Sequence, residues 1–441
     1  MSRAISAWNM NSGCKQIQAS RSRGIAILAA LLALAMLTLI ALSMTFVSST
    51  EVLINDNNKK RLLQLYAAES ACEEARLRIR NLIDLNQLSL TDLNRTVYLV
   101  PSSSINPTYG DEATNPYFDS NSESTQITSI LLSELESIKF TWVRVWPKTE
   151  RRAGYSLDDA VLTTDPVYFG YSKTQSPAKP TQYVNSGNHI NSHYGSPVFL
   201  STAIAKEPTG YRQMVTTEIA RIPCPPLKAA FFSKGSVQIL GSAVSLDGND
   251  SSALTTSSLN GLESESDVSG DTSQIHGSPM ALRTFSPNSY EMASLIKMFQ
   301  PPVCREVERL NLNISKTIGG NYAANGVMLG SLPANGNLSQ AVYVGGSLTL
   351  SNSSGQGILV VDGDLTIEGE FIYQGLLIVN GRVSFNGSGS GIQIAGAVLV
   401  SSLSGNPSSL LDGTINLVYD SFIIRKQFDS LPYTRIAFRD Y

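Results

Sequence analysis

Carboxylates, imidazoles and thiols are the side chains here that could do chemistry, and their spacing decides which chemistry is open to them. Asp362 and Asp364 are two apart in Val360-Val-Asp-Gly-Asp-Leu-Thr-Ile367 and so share one face of a strand, with Glu368 and Glu370 continuing the series. Such an acidic row can hold Ca²⁺ or serve glycosidic cleavage. An Asp-Gly-Asp corner is also what a tight turn prefers, and no basic or histidine partner accompanies it in sequence, so a structural turn is the expected role. Asp362 and Asp364 remain the metal candidates to examine. His189 and His193 are four apart, a spacing that binds metal on a helix, but they sit in Asn185–Gly195, whose composition is that of a loop. The glycines of Asn386–Gly391 lack the Lys-Ser/Thr and following helix of a phosphate loop. Glu69 and Glu73 share a helix face, where arginine-paired or solvated carboxylates are expected before an acid–base pair. No nucleophile constellation stands out. The expectation is a chain with no catalytic residue and no cofactor.

The cysteines sort by compartment. Cys14 lies in the basic N-terminal stretch, and Cys72 is expected to act as a small apolar residue on a helix. Cys224 and Cys304 each come shortly after a proline and flank one large segment, which makes a disulfide between them the expectation in an oxidising compartment.

The element that must position everything else is helical. Between Arg23 and Glu51 there is no charged residue, and from Ile25 to Val100 there is neither glycine nor proline, in a chain with Gly 33 and Pro 19. Helix interiors exclude both residues, so one long helix is predicted, apolar over 25–50 and amphipathic over 51–95. Its apolar half spans roughly 36 Å at 1.5 Å per residue, enough to cross a hydrocarbon core of about 30 Å. Residues 1–24 carry Arg3, Lys15, Arg21 and Arg23 with no acidic residue, which keeps the N-terminus cytoplasmic and places the bulk of the chain beyond the bilayer. Leu62, Leu65, Cys72, Ile79 and Ile83 fall near helical spacing and form the stripe expected to pack on a head.

These residues resemble a family. A basic leader ending in Arg23-Gly24, followed by a continuous apolar helix from Ile25, looks like a type IV prepilin. Tyr66-Ala-Ala-Glu69-Ser70-Ala-Cys-Glu73-Glu74-Ala75-Arg76 is similar to the corresponding helix of PilX-type minor pilins. The tail Arg435-Ile-Ala-Phe-Arg439-Asp440 resembles that family's closing strand. The resemblance implies cleavage after Gly24 by a prepilin peptidase, with the methylation that accompanies such processing. It also implies an assembly helix carrying Ala29, Glu51, Glu69, Glu73 and Glu74, and partners among other pilin subunits, the inner-membrane pilus assembly machinery and the lipid bilayer. Ala29 stands five residues past the cut, where major pilins carry a glutamate. That departure favours an accessory or tip role over packing along the shaft.

Beyond the helix, an α+β fold is predicted. Residues 96–222 read as a pilin-like head. Phe140–Trp146 alternates with period two, and Pro197–Ile204 and Gln213–Ala220 flank a Pro208-Thr-Gly210 turn as a hairpin. Trp142 and Trp146 fall on one face of their strand, expected to be core. Pro223-Cys-Pro225-Pro226 marks a linker. Tyr343-Val-Gly-Gly-Ser-Leu-Thr-Leu350, Val360–Ile367 and Ile378-Val-Asn-Gly-Arg-Val-Ser-Phe385 then repeat at about 18 residues, with an earlier copy at Phe231–Ile239 and another begun at Ala397–Val400. The repeats predict a mainly parallel β-solenoid over 223–402, with glycine at positive φ at each corner. A flexible insertion is expected at 251–320, whose Ser251–Met280 part is rich in Ser, Asp, Thr and Gly, and C-terminal strands are expected over 403–441.

The formal net charge is −3 with 16% charged residues, so there is no basic footprint for nucleic acid. The composition suits an exported, β-rich structural protein. Two readings follow. The first is a minor-pilin-like component of a type IV pilus or related secretion filament, priming assembly or displayed at the tip. The second is a membrane-tethered periplasmic β-helix scaffold or adhesin.

Overall fold

The structure is a computed structural model that describes residues 12–84, 96–100, 124–128, 140–153, 166–171, 180–184, 195–206, 212–252, 258–286, 291–301, 304–310, 312–316, 320–329, 341–401 and 409–440. Helix α1 runs unbroken over Ser12–Asp84. The hydroxyls within its apolar half fold back on their own helix: Thr38 donates to Ala35 O at 2.8 Å and Ser43 to Ile40 O at 2.8 Å. Such back-bonding satisfies a hydroxyl whose surroundings offer no other partner. The chain divides into two compact units, Met1–Tyr66 and Ala67–Tyr441. In the first, large apolar side chains from Ile25 to Ile54 are exposed, and the helix is long and apolar enough to cross a membrane.

In the second unit the rest of α1 lies on a six-stranded sheet. The sheet order is Ser124–Thr128, Thr96–Val100, Phe140–Pro147, Phe199–Lys206, Arg212–Ala220 and Thr434–Asp440. The first two strands pair in parallel, and every later pair is antiparallel. The hairpin expected across Pro208–Gly210 is present, with Phe199 opposite Ile219 and Lys206 opposite Arg212. The buried face of α1 keeps Cys72 and Ile79 of the predicted stripe, and its other buried apolar residues among those described are alanines. Ala67, Ala68, Ala71, Cys72, Ala75 and Ile79 are buried, whereas Leu62 is exposed. Small side chains let a helix axis come close to a sheet, and Cys72 Sγ reaches Ser201 O at 3.6 Å. A search for large apolar residues overlooks such a seam. A three-stranded sheet, Pro180–Val184, Tyr168–Tyr171 and Gly195–Pro197, adjoins in sequence.

The repeats fold as a parallel ladder in register on either side of one bulge per pair of rungs. Leu348–Val361, Leu365–Val379, Val383–Val400 and Ser409–Val418 are successive rungs. Leu348, Leu365 and Val383 align, as do Val361, Val379 and Val400, and all six are buried. Two irregularities divide each long rung into three short stretches, or faces. For the first rung these are 348–351, 353–356 and 358–361, marked by a register shift at Ser351/Ser353 and by Gly357 at φ 114°. Inward side chains of neighbouring rungs stack into one continuous apolar core.

Three expectations change. The segment 251–320 is not a featureless insertion: Asn260–Ser264, Val268–Gly270 and Ile275–His276 pair in parallel with Ala229–Ser233, Val237–Ile239 and Ala243–Asp247. Composition counts only side chains; pairing with an in-register neighbour satisfies backbone groups that composition does not count, and Leu262 and Ile275 are buried. The bound at 402 moves: of the C-terminal strands expected over 403–441, Ser409–Val418 belongs to the ladder and Thr434–Asp440 to the sheet under α1, with a helix, Ser421–Asp429, between them. Finally, the corner glycines Gly346, Gly363 and Gly381 are not among the positive-φ residues. They are required by close approach: a Cβ on Gly363 would lie 2.6 Å from Gly346 C, and one on Gly381 2.7 Å from Gly363 C. Positive φ belongs to a second column, Gly357, Gly375 and Gly396 at 114°, 142° and 147°.

Candidate functional site: the seat of helix α1

Glu69, Glu73 and Glu74 of α1 each pair with an arginine. Arg76 Nε meets Glu73 at 2.6 Å and Arg78 Nη1 meets Glu74 at 3.1 Å, both along the helix. Glu69 is met at 3.3 Å by Arg435 Nη1 from the last strand of the sheet. Arg76 also donates to Tyr433 O at 2.6 Å, so two α1 residues are tied to the C-terminal tail. Tyr433 is sandwiched there: its ring meets Phe199 edge-on at 5.8 Å and lies 4.6 Å from the Arg221 guanidinium carbon. The roles of Arg435, Arg221 and Tyr433 are not legible in the sequence, because their partners are far away in the chain. The only signal was the similarity of the tail to a closing strand.

Arg23, Gly24 and Ile25 all lie on α1, and Ile25 is the first whose side chain is described. Ala29 and Glu51 are exposed. His189 and His193 lie outside the described residues, as does the side chain of Trp142. Trp146 is half-buried beneath the Arg144 guanidinium, whose carbon stands 3.4 Å from the ring centre. Beneath the helix seat, Lys148 and Glu218 form an ion pair at 2.7 Å, with side chains only 4% and 8% exposed. Burial lowers the Lys148 pKa, and Glu218 opposes that shift.

The acidic row of the ladder is engaged in joining rungs. Asp362 accepts from Tyr343 Oη at 2.9 Å and from Asn380 Nδ2 at 2.7 Å, the neighbouring rungs on either side. Burial first and Asp362 second raise the Tyr343 pKa. Asp364 accepts from Arg382 N at 2.9 Å and pairs with Arg382 Nε at 3.3 Å. The basic partner that was absent in sequence therefore arrives from the next corner. Glu370 accepts from Ser390 N at 3.1 Å, which lowers its pKa, and Glu368 is exposed. Among the described residues no group of three His, Cys, Asp or Glu side chains is arranged to hold a metal. Asn386–Gly391 forms a bulged corner inside the strand Val383–Val400 rather than a loop before a helix.

The Cys224–Cys304 staple is not formed. Both are free, buried thiols, as is Cys72. Cys224 lies in the apolar core and donates to Pro225 O at 3.5 Å. Burial raises the pKa of both Cys224 and Cys304. Flanking a segment in sequence brought the two thiols into one core without bonding them.

No family model matches this chain, and no curated protein matches it. Among solved structures it is similar to the competence-associated pilin ComZ from Thermus thermophilus, with 11% identity over 64% of this chain and 89% of that one and a TM-score of 0.15. A score that low carries no argument about the fold, and the weight of the functional reading falls on α1 and its seat.

Proposed function

We propose that this chain is a minor-pilin-like structural subunit of a type IV pilus or related secretion filament, priming assembly or displayed at the tip. The observation that carries the reading is α1 itself. One continuous helix exposes apolar side chains over its first half and seats its second half on an antiparallel sheet, so the same element can span a bilayer and then pack among other helices. In this reading Gly24 precedes the prepilin peptidase cut and Ile25 becomes the mature N-terminus. The protein is then single-pass in the bacterial inner membrane, N-terminus cytoplasmic and bulk periplasmic, until it enters the filament with other pilin subunits. The parallel ladder is read as a β-solenoid displayed as a non-catalytic interaction surface, with Asp362, Asp364 and Glu370 joining rungs.

The test is deletion of the gene with counting of surface pili, together with the mass of the mature N-terminus. Loss of piliation, presence of the protein in sheared filaments and a chain beginning at Ile25 support the proposal. Unchanged piliation, absence from filaments and an intact 1–24 would establish the second reading. That reading, a membrane-tethered scaffold or adhesin, is favoured by the long in-register ladder.

A further inference from the structure

The ladder is not wound in chain order. On one of its three faces, Phe231, Phe232 and Ser233 pair directly with Val398, Leu399 and Val400. On the other two, the rung Val383–Val400 and the coil Val237–Asp247 do not pair with each other, because Ser409–Val418 lies between them. Its Leu410–Gly413 and Ile415–Val418 pair with Ser384–Gly387 and Ile392–Ala395 on one side. Its Ser409–Leu411 and Thr414–Val418 pair with Val237–Ile239 and Ala243–Asp247 on the other. The chain therefore enters the stack in the middle at residue 229 and builds outward to Arg283. It resumes at the opposite end, where Arg305 pairs with Val342, and winds back until its last coil fills the remaining gap.

We infer that the C-terminal segment Ser409–Asp440 is a clasp that holds the outer coils 229–283 onto the body of the ladder and closes the head in the same step. Stacked coils are stabilised by their neighbours, and about three repeats are needed before a stack stands alone. Rungs 341–400 meet that need without help. The outer coils do not, since 229–247 rests two of its three faces on Ser409–Val418 and 260–276 rests on 229–247 in turn. The clasp is bolted at its far end: Asp420 caps the helix Ser421–Asp429 through Ile423 N, Phe428 meets Phe299 edge-on, and Thr434–Asp440 completes the sheet beneath α1. The outer coils thus belong to the displayed surface only once the end of the chain is in place.

Hydrogen exchange on the full chain in detergent tests this, with Leu411→Ala and Leu417→Ala combined; both side chains are fully buried. Amide protection over 229–247 and 260–276 should fall about tenfold or more, while 348–379 stays within about twofold of the parent. Arg435→Ala, which removes the ion pair with Glu69 and the guanidinium over Phe438 but no ladder contact, should leave both ladder regions protected. Equal loss in both regions of the double variant, or loss in neither, overturns the clasp.

Discussion

Removing the partner of Lys148 should cost far more than removing the pair. Lys148 and Glu218 meet at 2.7 Å with side chains 4% and 8% exposed, beneath the strands on which α1 is seated. In Glu218→Ala the lysine keeps its buried site and loses its counter-charge, a change that costs about 3–5 kcal/mol. In Lys148→Met with Glu218→Leu, two desolvated charges are replaced by apolar groups of similar size. Such a swap is about neutral or even stabilising. The pH dependence has a definite sign. Burial lowers the folded-state pKa of Lys148 below the ordinary 10.5, so the unfolded chain binds more protons between those two values and stability rises with pH across that window. The penalty is therefore full at neutral pH, and the deficit of Glu218→Ala should shrink as pH climbs toward about 10. Hydrogen exchange of Phe199–Lys206 and Arg212–Ala220 is the assay, because a change of this size accelerates exchange through opening of the sheet about a hundredfold or more. A single variant no worse than the double variant, or a deficit that grows with pH, would refute the argument that an unpaired buried charge dominates.

Two further outcomes follow from the ladder and its thiols. Gly375→Ala should open the stack at the rung it occupies, since φ is 142° there and a Cβ would press on the Gly357 carbonyl; rung protection should fall sharply in hydrogen exchange, whereas Ser354→Ala on a half-buried position should change little. Cys72, Cys224 and Cys304 should resist alkylation in the native protein and all react once it is unfolded without reductant; a 2 Da deficit in intact mass would restore the Cys224–Cys304 bridge.

What the amino-acid sequence by itself determined is everything that depends on near neighbours in the chain. The absence of glycine and proline from Ile25 onward, and of charge up to Glu51, specifies α1 from Ile25 to its end, because helix propensity and apolar length act within a few turns. The period of about 18 residues specifies the parallel register, because identical rungs align identical side chains: Leu348, Leu365 and Val383 meet as the repeat requires. Position and φ part company at the glycines. The repeat marks Gly346, Gly363 and Gly381, but only the stacked backbone shows that contact with the next rung, not positive φ, demands them. The alanine seam of α1 was unreadable for the opposite reason, since small side chains give a weak hydrophobic signal and a close fit. Tertiary structure alone decided the rest. Arg382 reaches Asp364, Arg435 reaches Glu69, and Ser409–Val418 enters the middle of a stack begun at residue 229. Each of these contacts is long-range, and its partner is chosen by which surfaces remain unpaired after the local elements have formed. Periodicity states how coils stack on one another but not in which order the chain supplies them.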